Sequence, residues 1–62
     1  MNNNKINFLI SAINDNIKYI EFIYYNDNLT DETKNETIIK TTNFIINQSL
    51  ELQTLIKNET YN

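Results

Sequence analysis

The chain has 62 residues, contains no His, Cys, Trp, Gly or Pro, and carries a formal charge of −3 from five Lys and eight acidic residues. Without His and Cys, the sequence lacks the residues that most often perform acid–base, nucleophilic and thiolate-metal chemistry, so we expect no enzyme, metal site or cofactor. Five dispersed Lys and no Arg cannot neutralise many phosphates, and no apolar run is long enough to span a bilayer. We therefore expect no direct binding to nucleic acid or to a membrane, and we expect a cytoplasmic protein.

The first predicted element is an α-helix over residues 4–25. Its apolar residues recur at alternating spacings of four and three, which is the pattern of a heptad seam that packs against another helix. Leu9 and Ile23 lie beside this seam and widen it. The seam positions are Ile6, Ile10, Ile13, Ile17, Ile20 and Tyr24. Because Tyr24 belongs to the predicted seam, we expect Tyr24→Ala to disrupt folding.

A turn over residues 26–30 and a second helix over residues 31–59 follow. The turn is predicted because Asx side chains capture nearby backbone groups. Thr30 is the expected N-cap, and Asp31 and Glu32 follow it where the helix dipole favours acidic residues. The apolar stripe of the second helix is Ile38, Ile45 and Leu52, with Ile39, Ile46 and Ile56 alongside.

The middle of the second helix leaves alternatives open. Residues 37–46 are rich in Ile and Thr, which favour strands, so an unbroken helix, a helix broken near residues 41–43 and a strand are all considered. A strand would have no sheet to join. Thr42 and Ser49 fall within the stripe, where their hydroxyls are expected to bond back to the preceding turn. The predicted fold is a single small all-α domain over residues 1–62, an antiparallel two-helix hairpin that pairs into a four-helix bundle or docks on a partner.

Each helix carries a second apolar strip that the other helix of the hairpin is not expected to cover. The two strips comprise Phe8, Ala12, Tyr19 and Phe22 on the first helix and Phe44 and Leu55 on the second. Exposed aromatic strips are typical of protein interfaces. Packing of the strips in a homodimeric four-helix core is the alternative.

The net charge is concentrated at the predicted turn. Residues 27–36 contain four acidic residues and one Lys, which gives −3, the net charge of the whole chain. An acidic tip of this kind suits a basic partner surface. Combined with the aromatic cluster at the end of the first helix, it defines the candidate partner-binding residues. These are Tyr19, Phe22, Tyr25, Asp27, Asp31 and Glu32.

Residues 49–56, Ser-Leu-Glu-Leu-Gln-Thr-Leu-Ile, resemble the Ser-Gln-x-Leu-Asp-x-Leu-Ile signature of small sporulation phosphatases. Those proteins are helical hairpins that dephosphorylate the aspartates of response regulators, so the resemblance implies that fold and that activity. Leu50 stands at the Gln of the signature and Gln53 at its Asp. Both polar residues of the signature are therefore replaced, and a phosphatase is the least favoured function.

The favoured function is non-enzymatic binding to a protein partner. Thirteen Asn and eleven Ile, which have AT-rich codons, fit a phage or mobile element. We therefore expect an inhibitor of the anti-defence type that occupies a host protein surface in the cytoplasm. The alternative is a structural protein that assembles with itself. In either case a protein partner is expected, and the weak burial available to one short chain favours a homodimer.

Overall fold

The computed structural model describes residues 4–61, with side-chain surroundings described for residues 4–59, and it contains two helices. Helix α1 spans Asn4–Tyr24 and helix α2 spans Asp31–Tyr61. They lie side by side with opposite directions, so that the start of α1 is close to the end of α2. The predicted all-α hairpin is confirmed. Helix α1 ends one residue earlier than predicted, and α2 continues two residues further.

Helix α2 is continuous through its Ile- and Thr-rich middle, so neither the break near residues 41–43 nor the strand occurs. The hydroxyl of Thr41 donates to the carbonyl of Thr37 at 2.8 Å, and that of Thr42 lies 2.9 Å from the carbonyl of Ile38. The predicted back-bonding of Thr42 is therefore confirmed. Because the helix itself satisfies both hydroxyls, Thr41 can be buried against α1 and Thr42 half-buried beside it without an unpaired polar group. The seam residue at this level is Thr41, so the placement of Thr42 within the stripe was wrong.

The packing seam of α1 differs from the prediction. The buried residues Ile6, Leu9 and Ile23 and the half-buried residues Ile13, Asn16 and Ile20 form the seam, at alternating spacings of three and four. The prediction was wrong for Ile10, Ile17 and Tyr24, whose exposed fractions are 46%, 43% and 59%. The predicted and observed seams share Ile6, Ile13 and Ile20. At each remaining position, the residue that faces α2 is the one directly before the predicted residue.

A polar pair explains why the observed seam is stable. The side-chain amide of Asn16 donates to the amide oxygen of Gln48 at 3.0 Å, in a partly buried position between the helices. Burial of a polar group costs little free energy when the group keeps a hydrogen-bond partner. Asn16 can therefore occupy the seam position that apolar periodicity assigns to Ile17. The seam of α2 consists of Ile38, Thr41, Ile45, Gln48, Leu52 and Leu55. Leu55 is half-buried there, so its assignment to an outward strip was wrong.

The hairpin is a narrow, elongated layer. Its Cα atoms extend over 48 × 15 × 10 Å with a radius of gyration of 14.6 Å. A compact globular chain of this length has a radius of gyration of about 11 Å. Within the described residues, only Ile6, Leu9 and Ile23 are buried hydrophobic side chains. The two broad sides of this layer therefore carry most of its apolar residues.

Candidate protein-interaction site

The loop between the helices is closed by short-range hydrogen bonds. The backbone N–H of Asn28 donates to the side-chain oxygen of Asn26 at 2.9 Å, and the N–H of Leu29 donates to the Asn26 carbonyl at 3.3 Å. The N–H of Asn26 donates to the carbonyl of Ile23 at 3.2 Å. No residue of the described part has a positive φ angle, so the turn needs no Gly. The Asn side chain that predicted a turn therefore fixes it.

Thr30 caps the start of α2, as the sequence predicted. Its side-chain oxygen accepts the backbone N–H of Thr33 at 3.1 Å, and its carbonyl accepts the N–H of Lys34 at 2.9 Å. Asp31 and Glu32 occupy the first turn, where the positive end of the helix dipole stabilises carboxylates. The cap holds these two acidic residues in fixed positions at the end of the hairpin.

Lys34 joins the two helix ends and leaves the acidic residues dominant at the surface. Its amine donates to the backbone carbonyl of Tyr24, the last residue of α1, at 3.0 Å. A cation at this end of a helix is favourable, because the last carbonyls carry partial negative charge. The lysine is half-buried, whereas Asp27, Asp31 and Glu32 are exposed. We call these three acidic residues the acidic tip.

The aromatic residues near the loop are all exposed. The exposed fractions are 47% for Tyr19, 63% for Phe22 and 76% for Tyr25. The ring of Tyr25 packs edge-on against that of Tyr24, with centroids 5.0 Å apart and planes at 80°. Because Tyr24 is itself exposed and outside the seam, the expectation that Tyr24→Ala disrupts folding has no structural support. The neighbouring Ile23 is the residue that the hairpin buries.

A salt bridge shows how the two broad sides of the hairpin are arranged. Lys5 and Glu51 are 2.8 Å apart, and each directly precedes a seam residue of its helix. Positions that precede seam residues therefore share one side, and positions that follow them share the other. The first side, which we call the aromatic face, contains Phe8, Tyr19, Phe22 and Phe44. The second, which we call the isoleucine face, contains Ile10, Ile17, Tyr24, Ile39, Ile46 and Ile56.

The six predicted partner-binding residues lie at the loop end of the hairpin. Tyr19 and Phe22 are on the aromatic face, Tyr25 follows α1, and the acidic tip spans the loop and the first turn of α2. Tyr19 and Tyr25 are separated by about 9 Å along the helix axis. The sequence prediction missed the isoleucine face, because it assigned Ile10 and Ile17 to the core. A seven-residue repeat could have revealed this face, since Ile10 and Ile17 on α1, and Ile39 and Ile46 on α2, are each seven residues apart.

The grooves on the surface of the hairpin are shallow and open. A groove of about 320 Å³ is lined by Phe8, Ser11, Ala12, Asp15, Asn16 and Gln48, and a more apolar one of about 430 Å³ by Ser49, Leu52, Gln53, Ile56 and Lys57. Ser11 has no His to activate it, since the chain contains none. Among the described residues, no group of three or more acidic, His or Cys residues could hold a metal ion. No helix in the described part is both long and apolar enough to cross a membrane.

Comparison of the chain with protein-family models, curated proteins and solved structures gives no match.

Proposed function

We propose that the chain is a non-enzymatic binding protein whose loop end docks on a basic surface of a protein partner. The observation that carries this proposal is the exposure of Tyr19, Phe22 and Tyr25 next to an acidic loop. Tyrosine and other aromatic residues dominate the binding energy of many interfaces, because one side chain supplies a large apolar area with few rotatable bonds.

The loop is suited to this role because its shape is already set. The Asn26 turn, the Thr30 cap and the Lys34 contact with Tyr24 each fix part of the backbone. Binding therefore needs little additional ordering of the loop, and the cost in conformational entropy is small. The acidic tip attracts a basic partner from a distance and orients it before contact.

Occupation of a host protein surface is the form of this function that we favour. An inhibitor of the anti-defence type, carried by a phage or mobile element, needs only a stable binding surface and no reaction chemistry. The Asn- and Ile-rich composition supports a source of this kind. Its site of action would be the cytoplasm of the host cell.

Affinity capture tests the proposal. The tagged full chain is used as bait in a lysate of the cells that naturally express it, in parallel with a Tyr19→Ala/Phe22→Ala variant. We expect the unmodified chain to retain one foreign protein in stoichiometric amount. The double variant should lose that protein while keeping its far-UV circular dichroism, because both side chains are exposed.

Phe8→Ala is the matched control for the capture. Phe8 is also an exposed phenylalanine that precedes a seam residue, but it lies about 21 Å from Phe22 along α1. This variant should retain the foreign protein as the unmodified chain does. Retention by the double variant would place the partner elsewhere, and recovery of copies of the chain alone would favour self-assembly as the function.

A further inference from the structure

We propose that the isoleucine face is covered by the same face of a second copy of this chain, which gives an antiparallel four-helix bundle. This inference does not depend on the proposed partner at the loop end, because the two surfaces use different residues. The face includes Ile10 and Ile17 from α1 and Ile39 and Ile46 from α2, all at least 43% exposed. Both helices therefore contribute isoleucine side chains to one continuous surface.

The exposed area of the hairpin matches what such a contact would bury. A compact folded monomer of 7.4 kDa has about 4,200 Å² of accessible surface, whereas this chain has 4978 Å². The excess is similar to the area of about 800 Å² that each partner contributes to a standard protein interface. One isologous contact would therefore bring the accessible surface per chain to the usual value.

The polar groups of the face also suit burial against an identical copy. The face carries one charged residue, Glu21, which directly follows the seam residue Ile20, and Lys57 lies at its border. Thr42, which follows the seam residue Thr41, already has its hydroxyl within 2.9 Å of the carbonyl of Ile38. Its burial would therefore leave no unsatisfied donor. When the twofold axis passes near Ile17, the two copies of Glu21 lie about 12 Å apart along the helices, so repulsion between them is weak.

Charge also sets the relative direction of the two copies. Each loop end carries a net charge of −3 over residues 27–36. A parallel pair would bring two such ends together, whereas an antiparallel pair with its axis near Ile17 separates the two copies of Asp27 by about 30 Å along the helices. A twofold axis across the helices then places α1 against α1 and α2 against α2. Ile17, midway between Ile10 and Tyr24, lies near this axis, and both loop ends remain free.

Sedimentation equilibrium of matched variants tests the face. At micromolar concentration the unmodified chain should have twice the mass of the 7.4 kDa monomer. Ile46→Lys should weaken dimerisation at least tenfold, because it introduces a charge into the apolar contact. Phe44→Lys, two residues away on the aromatic face and similarly exposed, should leave the dimer intact. A monomeric unmodified chain, or equal weakening by both variants, would overturn the proposal.

Cross-linking gives a second test that needs no disruptive substitution. Because the chain has no Cys, one introduced thiol can be followed without background. Ile17→Cys should yield a disulfide-linked dimer on mild oxidation, since the two copies of residue 17 lie near the twofold axis. Tyr19 is similarly exposed in the single hairpin but lies on the opposite side, so Tyr19→Cys should form little disulfide-linked dimer. Preferential cross-linking of the Tyr19→Cys variant would show that the aromatic face, not the isoleucine face, forms the contact.

Discussion

Leu9→Ala is expected to lower the free energy of unfolding by about 2–5 kcal/mol, because it removes a buried side chain from a very small core. Leu9 is only 4% exposed and is one of three buried hydrophobic residues in the described chain. Domains of this length have a total stability of about 3–9 kcal/mol, so the loss is a large fraction of the whole. Thermal unfolding followed by circular dichroism measures the change.

Phe8→Ala is the control for this stability measurement. Phe8 is adjacent in sequence and larger than Leu9, but 69% of it is exposed. Its replacement should change the free energy of unfolding by less than about 0.5 kcal/mol, as is usual for surface substitutions. A stronger effect of Phe8→Ala than of Leu9→Ala would mean that α1 packs through a different side from the one described.

Neutralising two residues of the acidic tip, by Asp27→Asn and Glu32→Gln, is expected to slow association with the partner about tenfold at low salt. The acidic residues act mainly by attracting a basic surface before contact, so the dissociation rate should change much less. The effect should shrink at high salt, where charges are screened over about 3 Å at 1 M. Stopped-flow or surface-based kinetics with the captured partner would measure both rates.

A double variant of equal charge change separates local attraction from the net charge of the chain. Asp15→Asn/Glu51→Gln also removes two negative charges, but from the middle of α1 and the second half of α2, away from the loop. The logarithm of its association rate constant should fall by less than half as much as that of the Asp27→Asn/Glu32→Gln variant. Equal slowing by the two double variants would contradict a specific role for the acidic tip.

Local signals in the sequence predicted the hairpin well. Asn26, Thr30 and the acidic residues after it act within a few residues of their own positions, so no knowledge of the opposite helix is needed. The structure shows the turn, the cap and the acidic first turn where the sequence places them. The continuity of α2 was harder to predict, because the preference of Ile and Thr for strands competes with helix periodicity.

The orientation of α1 could not be obtained from local signals. Starting at Ile6, one apolar pattern runs through Ile10 and Ile17, and a second runs through Leu9 and Asn16. The first contains only apolar residues, so periodicity alone favours it. The second is observed because Asn16 finds a partner in Gln48, which lies 32 residues away in sequence. Pairing of polar residues across the seam is tertiary information, and the assignment of Tyr24 and of the candidate faces depended on it.

The most direct test of the proposed binding site is a chemical-shift map of the isotope-labelled chain as the captured partner is added. The largest changes are expected in the backbone amides of residues 19–32, which include the aromatic residues near the loop and the acidic tip. Amides in the second half of α2, from residue 44 onward, should change little. Changes concentrated in that half, or along the isoleucine face of both helices, would contradict a partner site at the loop end.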